Sequence, residues 1–166
     1  ECYPGTGLSE LLEGLRGLAP AKVIVSDDLA FEPEKMDALL EKDLTDDPVF
    51  GIMTVRRMED FFYPEKLEKA REEAERVPEG IVLICGTGAS LIHPGDILVY
   101  ADITRWEIQL RYRRGMKNWR TAKEDVPRLE KYKRGYFAEW RWADRVKDAL
   151  LDRFDYYLDM AREGRA

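Results

Sequence analysis

The sequence predicts an α/β protein with a mostly parallel sheet of four or five strands, helices on both faces, and a helical segment at its C-terminal end. Short apolar runs rich in β-branched residues alternate along the chain with amphipathic segments. The apolar runs are continuous rather than alternating, which is typical of strands that are covered on both faces. Strands that alternate with helices favour parallel pairing through right-handed crossovers.

The length and composition predict one domain over residues 1–166. The chain has 166 residues, of which 45% are hydrophobic and 36% charged, a composition typical of a globular domain rather than a disordered segment. The chain does not begin with Met, and we expect it to be a fragment of a longer protein. No apolar run approaches the ~20 residues of a membrane-spanning helix, so we expect no membrane contact.

The cysteines and the charge indicate the compartment and exclude one class of partner. Cys2 and Cys85 are far apart and form no CxxC pair, which favours a reducing cytoplasm. The formal net charge of −6 argues against a general nucleic-acid coat and leaves a local basic site open, and we expect no nucleic-acid partner. Acidic residues dominate 27–47, whereas arginines concentrate in 105–120.

The first half of the chain predicts three helices and two strands. Leucines at steps of three and four residues predict a helix over 9–18, and the β-branched run at 22–26 predicts a buried strand. Pro33 and Pro64 each favour the first turn of an amphipathic helix. Residues 49–53 are a weaker strand candidate.

The second half predicts two more strands followed by helices. The apolar run at 81–85 ends at Gly86, and the run at 97–101 ends at Asp102, so each predicts a strand. From Arg105 onward the pattern predicts helices throughout, with an interruption near 115–127. Ligands of parallel α/β sheets bind beyond the carboxyl ends of the strands, so the candidate site lies there.

Residues 2–9 match the phosphate-binding-loop pattern G-x-x-x-x-G-K-[ST] in part. Gly7 supplies the second glycine and Ser9 the hydroxyl before a predicted helix, but Cys2 replaces the first glycine and Leu8 the lysine. That lysine reaches the β- and γ-phosphates, so Leu8 removes a group that neutralises transferring charge. Gly7 and Ser9 are candidate phosphate ligands, and an ordinary glycine-rich turn with a helix cap is the alternative.

Asp27 and Asp28 directly follow the first predicted strand. A carboxylate at that position can take a proton from a substrate hydroxyl or hold Mg²⁺. Asp27 is therefore the candidate catalytic residue and Asp28 a candidate ligand-binding residue. The alternative is an Asx turn or a loop that initiates a helix, which accounts equally well for aspartates at a strand end.

Gly86 and Gly88 follow a later strand but lack the third glycine of a dinucleotide fingerprint, so they predict a tight turn. His93, the single histidine, lies beside Pro94 in a predicted loop. One histidine supports neither a Ser-His-Asp triad nor a multi-histidine metal centre. No metal-binding residue is predicted.

Arg111 and Arg114 lie three residues apart and share one face of a predicted helix. Guanidinium groups suit phosphate recognition because they donate in a bidentate fork, so both are candidate ligand-binding residues. The alternative is a solvated helix with ion pairs such as Glu107 to Arg111 at a spacing of four.

The tryptophans of the C-terminal half indicate core positions. Trp119, Trp140 and Trp142 are predicted to be core and helix-packing residues. Trp140 and Trp142 are two residues apart around Arg141, so we expect one of them to face outward.

The order of these segments resembles the uridine-kinase-like phosphate-binding-loop kinases. The resemblance rests on the glycine turn before Ser9, on VIVSDD and IVLICG, and on VYADITRWEIQLRYRRG. It implies a kinase-like fold over residues 2–115. In this family Ser9 falls at the phosphate-loop hydroxyl, Asp27 at the catalytic base, and Arg111 and Arg114 in the helix beside the lid.

A more specific resemblance is to the kinase-like N-terminal region of bacterial class I mannose-6-phosphate isomerase-type proteins, which continue into a cupin barrel. DDPVFGIMT, VLICGTGASLI, LVYADITRWEIQLRYRRG and LEKYKRGYFAEWRWADRVKDALLDRFDYYLD are similar to that region. It implies that the metal ligands of the cupin lie outside these 166 residues.

Together, the resemblances imply a degenerate nucleoside-kinase-like domain that is regulatory or binds a phosphorylated small molecule. The cupin domain of the longer protein is its implied partner, and isomerase activity in carbohydrate metabolism belongs to the full-length protein. The alternative is a sugar or nucleoside kinase that transfers phosphate from ATP with Mg²⁺ as its cofactors.

Overall fold

The computed structural model describes residues 1–162. Within these residues there are six α-helices and four β-strands, and helices and strands alternate in the first two thirds of the chain. The helices are α1 (Leu8–Gly14), α2 (Pro33–Leu44), α3 (Pro64–Glu75), α4 (Arg105–Arg113), α5 (Arg128–Arg134) and α6 (Trp140–Leu150). The strands are β1 (Lys22–Val25), β2 (Val82–Cys85), β3 (Val99–Asp102) and β4 (Tyr156–Asp159).

The strands form two parallel pairs, β1 with β2 and β3 with β4. The predicted α/β class and the parallel pairing are confirmed. Instead of the predicted sheet of four or five strands, however, the structure has two sheets of two strands each. Each strand is only four residues long, so each pair makes few ladder hydrogen bonds.

The first three residues lie between the two pairs. The amide of Cys2 donates to the Gly86 carbonyl at 3.0 Å, just beyond β2. On the other side, Cys2 forms an isolated parallel bridge with Ala101 of β3, and the Tyr3 amide donates to the Ala101 carbonyl at 2.9 Å. Residues 1–3 therefore connect β3 of one pair to the residue that follows β2 of the other pair through their backbone.

The helices that begin at Pro33 and Pro64 are confirmed, since proline lacks the amide hydrogen that the first helical turn leaves without a partner. The predicted helix over 9–18 is split into α1 and a 3₁₀ turn at Leu15–Leu18. Ala19 then takes a left-handed conformation, which ends the turn before Pro20.

The strand predicted over 49–53 is wrong. The segment has no strand partner within the described residues, and Phe50 and Ile52 are exposed. Its apolar run resembles a buried strand in sequence, but its backbone hydrogen bonds go to loop and helix-end carbonyls. The amide of Ile52 donates to Asp43 at 2.7 Å, and that of Thr54 donates to Phe137 at 2.9 Å.

The prediction of helices throughout the C-terminal part is wrong at β4. The chain leaves the helical conformation at Phe154, and Tyr156–Asp159 pairs in register with β3. Asp155 fixes the start of this strand, because its carboxylate accepts from the Leu98 amide at 2.7 Å while its own amide donates to the Leu98 carbonyl. Residues 163–166 of the predicted domain lie outside the described residues.

The main core lies between the β3–β4 pair and helices α2, α4 and α6. Trp140 and Trp142 are both buried there, so the expectation that one faces outward is wrong. A π-helical turn at Gly135–Glu139 separates α5 from α6. Among the described residues, no helix has the length and apolar character that crossing a membrane requires.

Candidate functional site at the carboxyl ends of the strands

The carboxyl ends of β1 and β2 lie side by side because the strands are parallel and in register. The 3₁₀ turn Ser26–Leu29 follows β1, and Gly86 follows β2. The predicted tight turn after β2 is confirmed, since Gly86 and Gly88 both adopt positive φ values. Asp27 therefore enters the site directly from a strand end.

The Asp27 carboxylate bridges two distant parts of the chain. Its Oδ2 accepts from the Thr87 amide at 2.9 Å, and its Oδ1 accepts from the Trp119 indole at 2.6 Å. These donors hold the side chain in one orientation at the junction of β1, β2 and the loop before α5. Both carboxylate oxygens thus have a hydrogen-bond donor.

Gly86 is required by the close approach of this turn to Asp27. A Cβ atom on Gly86 would lie 2.2 Å from the Asp27 Oδ2 and 2.5 Å from the Ser26 Oγ, and the backbone has a φ of +121°. The Ser26 hydroxyl donates to the Thr87 carbonyl at 3.0 Å and strengthens the same junction. The Asp27 site is therefore preorganised by backbone contacts.

Burial raises the pKa of Asp27 above its ordinary value, because the ionised carboxylate loses solvation. Hydrogen bonds from Trp119 and Thr87 oppose this effect, and the positive charge of Arg120 opposes it further. A carboxylate of raised pKa is a better proton acceptor than an ordinary aspartate. The chemistry of Asp27 thus suits a general base, the role that the sequence predicts for it.

The loop that carries Trp119 and Arg120 was not predicted as part of the site. The Trp119 ring packs against Phe62 and Trp142, consistent with the predicted core role, while its indole nitrogen reaches Asp27. The Arg120 guanidinium donates to the Phe31 carbonyl at 3.0 Å. Trp119 and Asp27 are 92 residues apart, and no local sequence pattern signals such a contact.

Asp28 lies in different surroundings from Asp27. It is exposed and lines a groove of about 370 Å³ between β1 and α3, with Lys66 and Lys69 on the other wall. The two aspartates therefore do not present a joint set of oxygens, and this pair does not fit a Mg²⁺ site. Over residues 1–162 no group of three or more His, Cys, Asp or Glu side chains is arranged for a metal ion.

The glycine turn at Gly5–Gly7 follows residues 1–3 and leads into α1. Gly7 is the N-cap of α1, and no side-chain hydrogen bond caps the helix there. Ser9 is exposed on the first turn of α1, whereas Leu8 packs against the main core. The lysine position of the phosphate-binding loop is thus occupied by a side chain that contributes to packing.

Arg111, which belongs to α4, hydrogen-bonds to this glycine turn. Its side chain is 7% exposed, and it donates to the Gly5 carbonyl at 3.1 Å and to the Met160 carbonyl at 2.7 Å. A third contact, at 3.3 Å, joins it to Glu107, the predicted pair at a spacing of four. Arg111 therefore connects the glycine turn to the carboxyl end of β4.

Arg114 reaches the same carboxylate from the outside of α4. Its side chain is 54% exposed and donates to the Glu107 Oε1 at 2.6 Å. The hydrogen bond from Arg114, with a further one from Arg111, lowers the pKa of Glu107. The prediction that both arginines share one helix face is confirmed, because both contact Glu107.

The structure brings part of the predicted site together. Arg111 meets the glycine turn that contains Gly7, but within residues 1–162 no hydrogen bond or ion pair joins Arg111 to Asp27. Both clusters lie at the carboxyl ends of strands, Asp27 between β1 and β2 and Arg111 beside β4. The catalytic and ligand-binding roles of these residues stay predictions.

A separate cavity of about 410 Å³ is lined by none of the predicted site residues. It opens between the 44–48 loop and the 118–134 segment, and its polar wall includes the buried side chains of Asn118, Lys133 and Arg134. No sequence pattern indicates this cavity, because the residues that form it come from separate elements and share no motif.

Fold and site together define an α/β domain that carries a half-buried aspartate at the end of β1 and a glycine turn hydrogen-bonded by a buried arginine. The chain belongs to a family described as a domain of unknown function (DUF8485), whose model matches residues 1–166. Comparison with curated proteins finds no match, and neither does comparison with solved structures.

Proposed function

We propose that this chain is a degenerate nucleoside-kinase-like domain that binds a phosphorylated small molecule and does not transfer phosphate by itself. The observation that carries the proposal is the unit formed by residues 1–3, the Gly5–Gly7 turn and α1, with Leu8 at the lysine position. An extended segment, a glycine turn and a helix, in that order, make up the phosphate-binding-loop motif.

The arrangement of neighbouring strands supports the kinase-like part of the proposal. Residues 1–3 contact β3 on one side and the end of β2 on the other, so the glycine turn leaves from a central position. A four- or five-stranded parallel arrangement of the kinase type would follow if residues 1–3 act as the central strand. The glycine turn would then lie where parallel α/β proteins bind their ligands.

The contacts of the glycine turn argue against phosphoryl transfer. Catalysis of this reaction depends on cations that neutralise charge on the transferring group. Leu8 cannot supply one, and the Arg111 guanidinium is held by the carbonyls of Gly5 and Met160. These residues therefore do not fit the triphosphate of ATP as a working loop does.

Arg114 is the candidate contact for a phosphorylated ligand. Its guanidinium lies at the surface, and it pairs with Glu107, the carboxylate that also pairs with Arg111. An anionic group that approaches this rim can interact with the exposed guanidinium, which is suited to bidentate phosphate contacts. The resemblance to mannose-6-phosphate isomerase-type proteins suggests a sugar phosphate, with the cupin domain of a longer chain as the partner and a regulatory role there.

Calorimetric titration tests this proposal with ATP plus Mg²⁺ and with mannose 6-phosphate as separate probes. We expect the sugar phosphate to bind and Arg114→Ala to weaken that binding, while ATP shows no turnover in a coupled assay. Leu8→Lys is the matched gain-of-function variant, and it is expected to increase affinity for ATP. Micromolar binding of ATP with turnover by the unaltered chain would overturn the proposal, as would the absence of binding by any phosphorylated probe.

A small-molecule kinase is the second candidate, and the position of Asp27 favours it. Asp27 directly follows β1, is held by two donors and has a raised pKa, properties that suit a base for a substrate hydroxyl. The test is ATP turnover with nucleosides and sugars by the unaltered chain and by Asp27→Asn. Turnover by the unaltered chain that is lost in Asp27→Asn would establish kinase activity. No turnover by the unaltered chain would exclude it.

A further inference from the structure

The cavity of about 410 Å³ between the 44–48 loop and the 118–134 segment has a buried side and an open side. Asn118, Lys133 and Arg134 form the buried side, here called the floor, since each is at most 8% exposed. Exposed charged residues surround the opening, here called the mouth. A concave site with apolar walls and a few polar groups is typical of small-molecule binding. Apolar residues complete the walls of this cavity, and these are Leu44, Pro48, Val126, Pro127 and Leu129.

Lys133 brings a positive charge to the floor without an ion-pair partner among residues 1–162. Its ammonium group donates to the backbone carbonyls of Thr45 and Asp47, which leaves one of its three N–H donors for a ligand. The Asp47 carboxylate is already bound by the amides of Phe50 and Val49, which lower its pKa together with the charge of Lys133. Lys133 can therefore receive an anionic group inside the cavity.

The other buried cations of α5 are already compensated or lie outside the cavity. The Arg134 guanidinium pairs with two carboxylates, those of Asp37 and Glu139. The Lys131 ammonium donates to a backbone carbonyl, and Lys131 does not line the cavity. The anion-binding capacity of the floor therefore rests on Lys133.

Asn118 adds a hydrogen-bond acceptor to the same floor. Its Nδ2 donates to Tyr112, to Glu139 and to the Lys131 carbonyl, at 2.9 to 3.1 Å. Its Oδ1 has no donor among residues 1–162 and is not enclosed by protein atoms, so it opens onto the cavity. A ligand that uses the whole floor needs an anionic acceptor and a hydrogen-bond donor. The carboxylate and the α-ammonium group of an amino acid supply both.

The mouth has an excess of negative charge. Asp46, Asp47 and Glu130 are exposed acids that line it, and Lys123 is the exposed base. Within residues 1–162, the side chains of Asp46, Lys123 and Glu130 form no ion pair. This charge favours a positive group at the opening and disfavours a ligand that carries only negative charge. A basic side chain that reaches from the floor to the mouth meets this requirement.

We propose that this cavity binds an α-amino acid with a basic side chain. The ligand carboxylate accepts from Lys133, its α-ammonium group donates to the Asn118 Oδ1, and its side-chain cation lies among the carboxylates of the mouth. The residues that carry this proposal are not those of the strand-end site, so it does not rest on the proposed function.

Calorimetric titration of the unaltered chain with L-lysine and three analogues tests the ligand class, because each analogue lacks one of the three charged groups. Cadaverine lacks the carboxylate, ε-aminocaproate lacks the α-ammonium group, and norleucine lacks the side-chain ammonium group. We expect the first two to bind about tenfold or more weakly than lysine. Norleucine is expected to lose up to about fivefold, as for an exposed ion pair. Absence of lysine binding would overturn the proposal, as would cadaverine or ε-aminocaproate binding as tightly as lysine.

Variants of the cavity test the assignment of each contact. Lys133→Met is expected to weaken lysine binding by about tenfold or more and to leave cadaverine binding unchanged, because only the carboxylate loses its partner. Glu130→Gln is expected to weaken the binding of lysine but not that of norleucine. Glu34→Gln, which removes the same charge from an exposed position on α2 outside the cavity, is the control. A folded Lys133→Met that binds lysine normally would contradict the site, and the analogue series decides if this variant does not fold.

Discussion

Arg111 and Arg114 demonstrate how burial separates the roles of two residues that the sequence treats alike. Arg111 lies in the last turn of α4 and Arg114 is its C-cap, and both contact Glu107. Arg111 is 7% exposed and bonds to carbonyls from both ends of the chain, whereas Arg114 is 54% exposed. Periodicity predicted the shared face and the Glu107 pair, but the distant carbonyl partners depend on the tertiary fold.

Arg111→Ala is expected to lower the free energy of unfolding by about 1–3 kcal/mol, because it leaves the buried acceptors of Gly5 and Met160 without their donor. Arg114→Ala is the matched variant and is expected to change stability by less than ~1 kcal/mol, as for other exposed ion pairs. Urea unfolding of both variants measures the difference. Equal losses in the two variants would contradict the structural role assigned to Arg111.

Asp27 is expected to titrate above the ordinary aspartate value of 3.8, since burial disfavours its ionised form. The folded protein then binds this proton more tightly than the unfolded chain does. The contribution of Asp27 to stability therefore decreases as pH rises from 3.8 through the folded-state pKa. Carboxyl ¹³C NMR measures the titration midpoint directly.

Trp119→Phe is expected to raise the pKa of Asp27 further, because the indole hydrogen bond is the largest of the effects that lower it. Trp106→Phe is the control, since Trp106 is 60% exposed on α4 and does not contact Asp27. An unchanged midpoint in Trp119→Phe would show that the indole does not stabilise the ionised carboxylate.

At the scale of elements, local sequence signals predicted the starts of helices. They did not predict segments whose structure depends on pairing with a distant part of the chain. Pro33 and Pro64 marked helix starts because the preference of proline for the first turn acts within a few residues. β4 was missed because Tyr156–Asp159 becomes a strand only through its pairing with β3. Residues 49–53 have the composition of a strand, but no strand among residues 1–162 lies beside them.

The turn after β2 gives a prediction at this scale. Gly86→Ala is expected to lower the free energy of unfolding by at least about 2 kcal/mol, because its Cβ atom would overlap Asp27 and its φ is positive. Gly14→Ala is the control: φ there is −59° and a Cβ atom meets nothing within 4 Å. That variant is expected to be neutral or to add up to about 1 kcal/mol. Thermal and urea unfolding distinguish the two, and a tolerated Gly86→Ala would contradict the close approach to Asp27.

At the scale of the whole molecule, the alternation of apolar runs and amphipathic segments predicted the α/β class and the parallel pairing. It did not predict the division into two pairs, because the link between them is made by residues 1–3, too short a segment to carry periodicity. The buried polar interior was also beyond prediction, since its members come from separate elements. Charge runs in the sequence indicate solvated faces, yet Lys131, Lys133, Arg134 and Glu139 are all buried.

Glu139 is the centre of this interior and ties together the C-terminal helices, α4 and the 115–127 loop. Its carboxylate accepts from Arg134 at 2.8 Å, from Tyr112 at 3.2 Å and from Asn118 at 3.1 Å, while Arg134 also pairs with Asp37 of α2. Arg134 therefore has two carboxylate partners, and removing one of them weakens the compensation of its buried charge. The network therefore fixes the relative positions of α2, α4 and the π-helical turn.

Glu139→Gln is accordingly expected to lower the free energy of unfolding by about 1–3 kcal/mol, because the buried Arg134 charge loses one of its two carboxylate partners and keeps only Asp37. The matched variant is Glu124→Gln, which removes the same charge from an exposed pair with Lys117 and is expected to cost less than ~1 kcal/mol. Urea unfolding monitored by tryptophan fluorescence measures both, and native-state hydrogen exchange reports whether α5 and α6 lose protection together. A loss in Glu139→Gln no larger than that in Glu124→Gln would mean that packing alone, rather than the buried charges, holds these helices in place.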